Sequence, residues 1–416
     1  MYLCRMIDFT KFTLDNGLRV IHHQDTNTPM ACVNVLYDVG SRDENPEKTG
    51  FAHLFEHLMF GGSVNIPEYD TPLQLVGGEN NAFTNNDITN YYVQLPAQNI
   101  ETAFWLESDR MLSLAFSPES LDVQRNVVCE EFKQRYLNQP YGDVWLNLRP
   151  LAYKVHPYRW DTIGKEISHI ENATLDDVKS FFKKYYSPGN AILVVSGNIS
   201  LERTKALCKK WFEPIPAQPV PERKLPQEPE QTTAHSLRMK SKVPADAFYL
   251  AFHGVSRLDK DYYTMDLLTN IFGLGDSSRL YYTLVKDLCL FSNFSCYHTG
   301  SFDTGLIIFS GKLMPDVSME EAEKAVWDVI DELKTNGCKP EELVKVKNKT
   351  ESSMVYEMMS LLERSIELAV SEVMGDANLI NEELPKFHAV TEGQILDFAR
   401  RFLTKERSNT LYYEKI

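Results

Sequence analysis

Between Glu213 and Gln231 the chain reads EPIPAQPVPERKLPQEPEQ, and this stretch constrains the fold more than any other. Six of the 20 prolines fall in it, interleaved with charged residues. Neither a helix nor a central strand runs through such a segment, because each proline removes an amide donor and fixes its own φ. Little apolar surface remains to pack. The composition therefore predicts an extended linker over 213–231 between two folded bodies, 1–212 and 232–416. Length agrees, since 416 residues exceed the size at which a single core keeps growing.

The two bodies open alike. The first begins with a strand, a turn at Asp15-Asn16-Gly17 and a second strand, LRVIHH, the Asn-Gly pair offering the positive φ angles of a tight hairpin. A third apolar run, ACVNVLYDVG, leads to a helix from about Lys48 to Phe60, stopped by Gly61-Gly62. After the linker, HSLRMKSK and DAFYLAFHGVSR repeat the hairpin-like opening, and Gly254-Val255-Ser256-Arg257 echoes Val39-Gly40-Ser41-Arg42. A helix from about Lys260 to Phe272 follows. Within the first body, Ser117 and Pro118 start another helix that runs to about Tyr136. Thr174 with Asp177 starts a third, and AILVVSG (191–197) reads as a buried strand. The expectation is an α+β chain of two similar domains, each a mainly antiparallel sheet covered by helices, descended from a duplication.

A formal net charge of −15 argues against nucleic acid or an anionic membrane as the partner. The seven cysteines, at 4, 32, 129, 208, 289, 296 and 338, are scattered and contain no CxxC. That pattern reads as reduced, mostly buried thiols. The N-terminus shows no apolar signal core, and no run approaches eighteen apolar residues. A cytoplasmic location is the resulting expectation.

The chemistry centres on His53-Leu54-Phe55-Glu56-His57, inside the apolar run FAHLFEHLMF. Residues four apart share a helix face, so both imidazoles can reach one ion. A catalytic zinc takes three protein ligands and keeps one position open. Glu56 sits at the edge of that face, placed to take a proton from water. Burying two histidines and a glutamate on such a helix is costly without a compensating partner. The helix from Pro118 supplies a third ligand from QRNVVCEEFKQR, and periodicity leaves Glu130 and Glu131 open, since consecutive residues point about 100° apart. Cys129 reads as a small buried hydrophobe. Ligand type favours one zinc per chain, although other first-row divalent ions satisfy the same donors.

HLFEHLMFGG, GGENNAFTNNDITNYYVQLP, QRNVVCEEF and the HPY…IG segment (His156-Pro157-Tyr158, Ile163-Gly164) together resemble the pitrilysin, insulysin and mitochondrial processing peptidase family, in its short single-half form. The resemblance runs the length of the chain and is strongest over residues 10–200. It implies zinc metallopeptidase activity on unfolded or short peptides. An E-R-x-V-x-x-x-E pattern laid on Gln124-Arg125-Asn126-Val127-Val128-Cys129-Glu130-Glu131 puts the third ligand on Glu131, and Gln124 stands where the family has an acid. The resemblance also implies that Asn81, Ala82 and Phe83 lie on a strand edge that pairs with an extended peptide.

One part of the pattern is broken. The family draws a substrate-steadying arginine and tyrosine from S-S-R-L-x-x-x-[LI]-R-x-x-x-x-x-x-Y. Here Ser277-Ser278-Arg279-Leu280 is in register, but Val285 and Ser292 occupy those two positions. Arg279 and Tyr281, in other registers, read as structural. The resemblance thus implies a dimer, and a heterodimer with an arginine- and tyrosine-bearing homologous subunit is favoured over a homodimer. A non-catalytic core or assembly subunit of the same family is the competing expectation.

Overall fold

The computed structural model describes residues 6–220 and 222–416, so Cys4 and Pro221 lie outside the described residues. It contains two compact units that interleave along the chain. The first comprises the described residues up to Lys133, Trp160–Leu225 and Val355–Glu382. The second comprises Gln134–Arg159, Pro226–Met354 and Glu383–Ile416. Where the sequence reading drew each body as one contiguous stretch, the structure thus joins residues 134–159 to the second unit and 355–382 to the first.

The first unit is built on a six-stranded sheet of β1 (Thr10–Thr13), β2 (Arg19–Gln24), β3 (Met30–Tyr37), β4 (Glu79–Thr84), β5 (Thr89–Pro96) and β6 (Ala191–Gly197), in the order β1-β2-β6-β3-β5-β4. The second holds β7 (His235–Ser241), β8 (Ala247–His253), β9 (Phe291–His298), β10 (Leu306–Leu313) and β11 (Ser408–Lys415), in the order β7-β11-β8-β10-β9. In each, one pair is parallel, β2 with β6 and β7 with β11, and the other pairs are antiparallel. Without β1 the two orders superimpose strand for strand. The expected kinship of the halves is therefore visible in their connectivity, and the α+β class with mainly antiparallel sheets holds.

The hairpin-like opening expected for the second body does not form. β11, the last strand of the chain, lies between β7 and β8. Its Leu411 is fully buried, so a completely apolar position fills the centre of the sheet. In the first unit β1 and β2 do form a hairpin, but Thr13 pairs with Arg19 across a five-residue loop. Only Gly17 in it has a positive φ, +90°. Asn16 instead spends its side chain on the carbonyls of Phe212 and Ile215, at 2.8 and 3.0 Å.

Each sheet needs a cover on both faces, and each takes one cover from across the proline-rich stretch. In the first unit, Tyr37 and Tyr91 face the helices of the N-terminal half, among them α1 (Phe51–Leu58) and α2 (Ile100–Leu112), and α3 (Pro118–Phe132) packs on α1. The opposite face, with Cys32, Asn34 and Ser196, is covered by α4 (Leu361–Val373), whose Ser365 hydroxyl meets Ser196 at 2.5 Å. Arg364 ties α4 down further, through His23 at 2.9 Å and Asp25 at 2.8 Å. In the second unit, Phe248, Leu250 and Phe252 pack on the helices Tyr262–Gly273, Met319–Asn336 and Glu392–Phe402. Ala247, Ala251, Ile308 and Leu411 pack instead on the Val144–Ala152 helix.

Residues 213–231 form no helix or strand among the described positions. They are pinned all the same. Arg223 pairs with Asp38 and Asp43 in the first unit, at 3.0 and 2.7 Å. In the second, the Glu228 carboxylate accepts the amides of Lys154, Val155 and His156 at 2.7–3.0 Å. Ionic anchoring replaces the apolar packing that proline denies this stretch.

Candidate metal centre

The α1 helix is two turns long. Phe51, Ala52, Leu54, Phe55 and Leu58 are buried, and Phe55 stacks on Tyr186 with ring centroids 4.9 Å apart. This packing leaves His53, Glu56 and His57 on the partly exposed side. The helix is shorter at both ends than the expected Lys48–Phe60. It starts after Gly50, whose φ is +89°, and the chain turns away at Gly62, whose φ is +88°.

The α3 helix lies alongside. The Ser117 hydroxyl accepts the Ser120 amide at 3.0 Å, as its N-cap position predicts, and Leu121, Val128, Cys129 and Phe132 are buried. Helical phase then separates the two glutamates left open above. Glu130 points outward and pairs with Lys133 at 2.7 Å, its side chain 60% exposed. Glu131 turns toward α1. Its Oε2 lies 3.6 Å from His53 Nε2 and 3.5 Å from His57 Nε2. One ligand atom from each of the three side chains lies within 4.8 Å of the others, the one such trio among the described residues. Cys129 is not in the trio, and burial raises its thiol pKa, as expected of a packing residue.

The donor set fits zinc. Bonds of about 2.0–2.2 Å at tetrahedral angles separate ligand atoms by about 3.3–3.6 Å, which is the spacing of Glu131 Oε2 from each imidazole Nε2. Direct hydrogen bonding would instead draw such atoms to about 2.7–2.9 Å. The three side chains are 13–26% exposed, buried enough to be held and open enough to be reached.

Asn81, Ala82 and Phe83 lie on β4, an edge strand that pairs with β5 alone and packs beside α1. The Ala82 amide points away from β5 and is taken by its neighbour, the Asn81 Oδ1, at 2.8 Å. Val285 packs against the core of the second unit, and the Ser292 hydroxyl donates to the Lys312 carbonyl at 3.2 Å. Arg279 is consumed by Glu342 at 2.6 Å, by Glu332 and by the Gly337 carbonyl at 2.9 Å, while Lys286 lies over the Tyr281 ring. Arg279 is thus engaged within its own unit, in line with the structural role read from its register.

Two polar groups beside the site carry no sequence signal that singles them out. Glu107 and Arg110 on α2 form a buried ion pair, with Arg110 Nε donating to Glu107 at 2.9 Å. The guanidinium lies over Tyr91, Tyr69 and Phe60, at 4.3, 4.8 and 5.5 Å. Their i,i+3 spacing is a visible hint, but exposed helix pairs share it. Glu44 is also buried, and accepts the amides of Gly50 and Ala52 and the Trp160 indole N–H. Burial raises its carboxyl pKa, while these three donors pull it back down. None of the three can accept a proton from a carboxylic acid, so the bonding pattern is that of a carboxylate.

Comparison with known proteins bears on this geometry. A family model described as "Insulinase (Peptidase family M16)" matches residues 19–157, which include His53, Glu56, His57 and Glu131. A second, "Peptidase M16 inactive domain", matches residues 172–350. The zinc protease PqqE of Helicobacter pylori is 30% identical over 96% of this chain and 91% of its own length. An uncharacterised zinc protease of Bacillus subtilis, YmxG, is 25% identical over 95% of this chain and 96% of its own. A crystal structure of a protease from Helicobacter pylori superimposes with a TM-score of 0.92 at 28% identity, over 98% of this chain and all of that one.

Proposed function

The chain belongs to peptidase family M16, and from that premise we propose that it is a zinc-dependent peptidase whose His53, His57 and Glu131 hold the metal and whose Glu56 handles the proton. The observation that carries this reading is the convergence of three donors from two helices, with the Glu131 carboxylate at zinc-ligand spacing from both imidazoles. Zinc in such a site supplies Lewis acidity, polarising a carbonyl and lowering the pKa of water to about 7. The chain's own residues do the rest. Glu56 takes a proton from the attacking water as its oxygen adds to the scissile carbonyl carbon, then gives it to the amine nitrogen as the C–N bond breaks. General acid–base assistance of this kind contributes about 10²–10⁴ in rate.

The β4 edge takes the peptide as an added strand, with Asn81, Ala82 and Phe83 opposite the substrate backbone. An extended chain fits such an edge, so the substrates are unfolded or short peptides. Val285 and Ser292 give this chain no arginine or tyrosine to steady them, so a homologous partner subunit supplies the pair. The competing role, a non-catalytic subunit, has no use for Glu56 on the open side of α1.

Glu56→Gln in the zinc-loaded chain tests the reading, with an unstructured quenched-fluorophore peptide as substrate. Zinc content should stay at one per chain while hydrolysis drops by at least about 100-fold. A variant as active as the parent overturns the assignment, and a parent that stays inactive with and without every homologous partner favours the non-catalytic role. No helix among the described residues is long and apolar enough to cross a membrane.

A further inference from the structure

We propose that Glu44 is a positioning residue for the metal centre, its carboxylate holding the first turn of α1 so that His53 and His57 aim at Glu131. This rests on the zinc reading above and adds a residue to it. A helix of eight residues does not hold its own frame in water, and its first amides have no partners within the helix. The N-cap position offers none, because it is Gly50. Glu44 takes that part from outside the helix. Its Oε1 accepts the Ala52 amide at 2.8 Å, and its Oε2 accepts the Gly50 amide at 2.9 Å. The Trp160 indole N–H also donates to Oε2, at 3.1 Å.

The segment that carries Trp160 braces the same turn. Lys165 donates its amide to the Thr49 hydroxyl at 2.9 Å, and the Thr49 amide donates to His169 Nδ1 at 3.1 Å. A side chain at position 50 would meet the Ile163 carbonyl at 2.7 Å, so the backbone of the Ile163-Gly164 segment sits directly against the helix start. Every one of these contacts falls at or before Ala52, and His53 is the next residue. The other end of the helix is fixed separately, by Phe55 against Tyr186 and Phe181. Metal ligands must keep their geometry to within about 0.5 Å. A small turn or slide of α1 moves both imidazoles together against Glu131, so the Glu44 clamp sets the metal site rather than one ligand.

A residue that merely caps a helix changes the folding stability of the metal-free protein and leaves the intrinsic zinc affinity alone. The two roles separate in the full chain with Glu44→Gln, which keeps one acceptor oxygen but turns an NH₂ toward a donor. Zinc affinity is read by chelator competition, the cobalt-substituted protein by its visible spectrum, and stability by melting the metal-free form. The expected result is zinc binding weakened by about 10–100-fold with a shifted cobalt spectrum, as when an outer partner of a metal ligand is lost. Trp160→Phe, which removes one donor of three, should move both readouts the same way by less, and carries the test if Glu44→Gln does not fold. Unchanged zinc affinity and spectrum in the folded variants, whatever their melting temperature, overturn the proposal. Failure of the parent chain itself to bind zinc overturns the metal reading as well, and so is told apart from a failure of the clamp alone.

Discussion

At the scale of single residues, the site depends on the phase of two helices. Glu130 and Glu131 are adjacent, yet one pairs with Lys133 in solvent while the other faces two imidazoles. Replacing Glu131 with Gln should weaken zinc binding by more than about 100-fold, beyond the range of outer partners, and Glu130→Gln should leave it unchanged in the same chelator competition. Equal effects would remove Glu131 from the ligand set. The sequence makes His53, Glu56 and His57 legible, because their spacing is a helical period and their surroundings are apolar. It leaves the third donor to be chosen by family pattern and does not show Glu44 at all. Two of the three groups that Glu44 binds are backbone amides, which every residue has, and the third lies 116 positions away.

At the scale of elements, the proposed function puts a substrate strand at the edge of β4. The outward amide of Ala82 is the donor such a strand would use, and it is outside the ladder with β5. Ala82→Pro removes that donor, and edge strands tolerate proline. A lost hydrogen bond of about 1 kcal/mol should raise KM about five-fold while zinc content holds. An unchanged KM would place the peptide elsewhere. Single elements are readable from local signals, the strand at 191–197 from its apolar run and the helix after Thr174 from the capping box formed with Asp177. Their neighbours are not. Nothing local in SNTLYYEK says that it inserts between β7 and β8 rather than adding at an edge, because register and order follow from long-range packing.

At the scale of the whole molecule, the proline-rich stretch marks a junction in sequence but does not part the chain into self-sufficient halves. Each sheet borrows one helix from beyond it, α4 for the first and Val144–Ala152 for the second. An amphipathic helix carries no label for the sheet it will cover, so the exchange could not be read from periodicity. A fragment ending at residue 231 therefore lacks the cover over Cys32, Asn34 and Ser196. It should melt without cooperativity or aggregate, and should not retain zinc. Adding the remainder of the chain, 232–416, in trans should restore both, as followed by circular dichroism and metal content. A fragment that is stable and zinc-loaded alone would show that α4 is dispensable.

The position of α4 late in the chain also sets a schedule. The proposed ligands, all before residue 132, leave the ribosome well ahead of the helix that closes the back of their sheet, which is made after residue 360, and β11 is later still. During most of synthesis the nascent polypeptide is expected to carry the ligands without a finished scaffold to aim them. At the proposed site any cutting power would then arrive only after residue 373 has emerged, so that the nascent polypeptide is not its own first unfolded substrate.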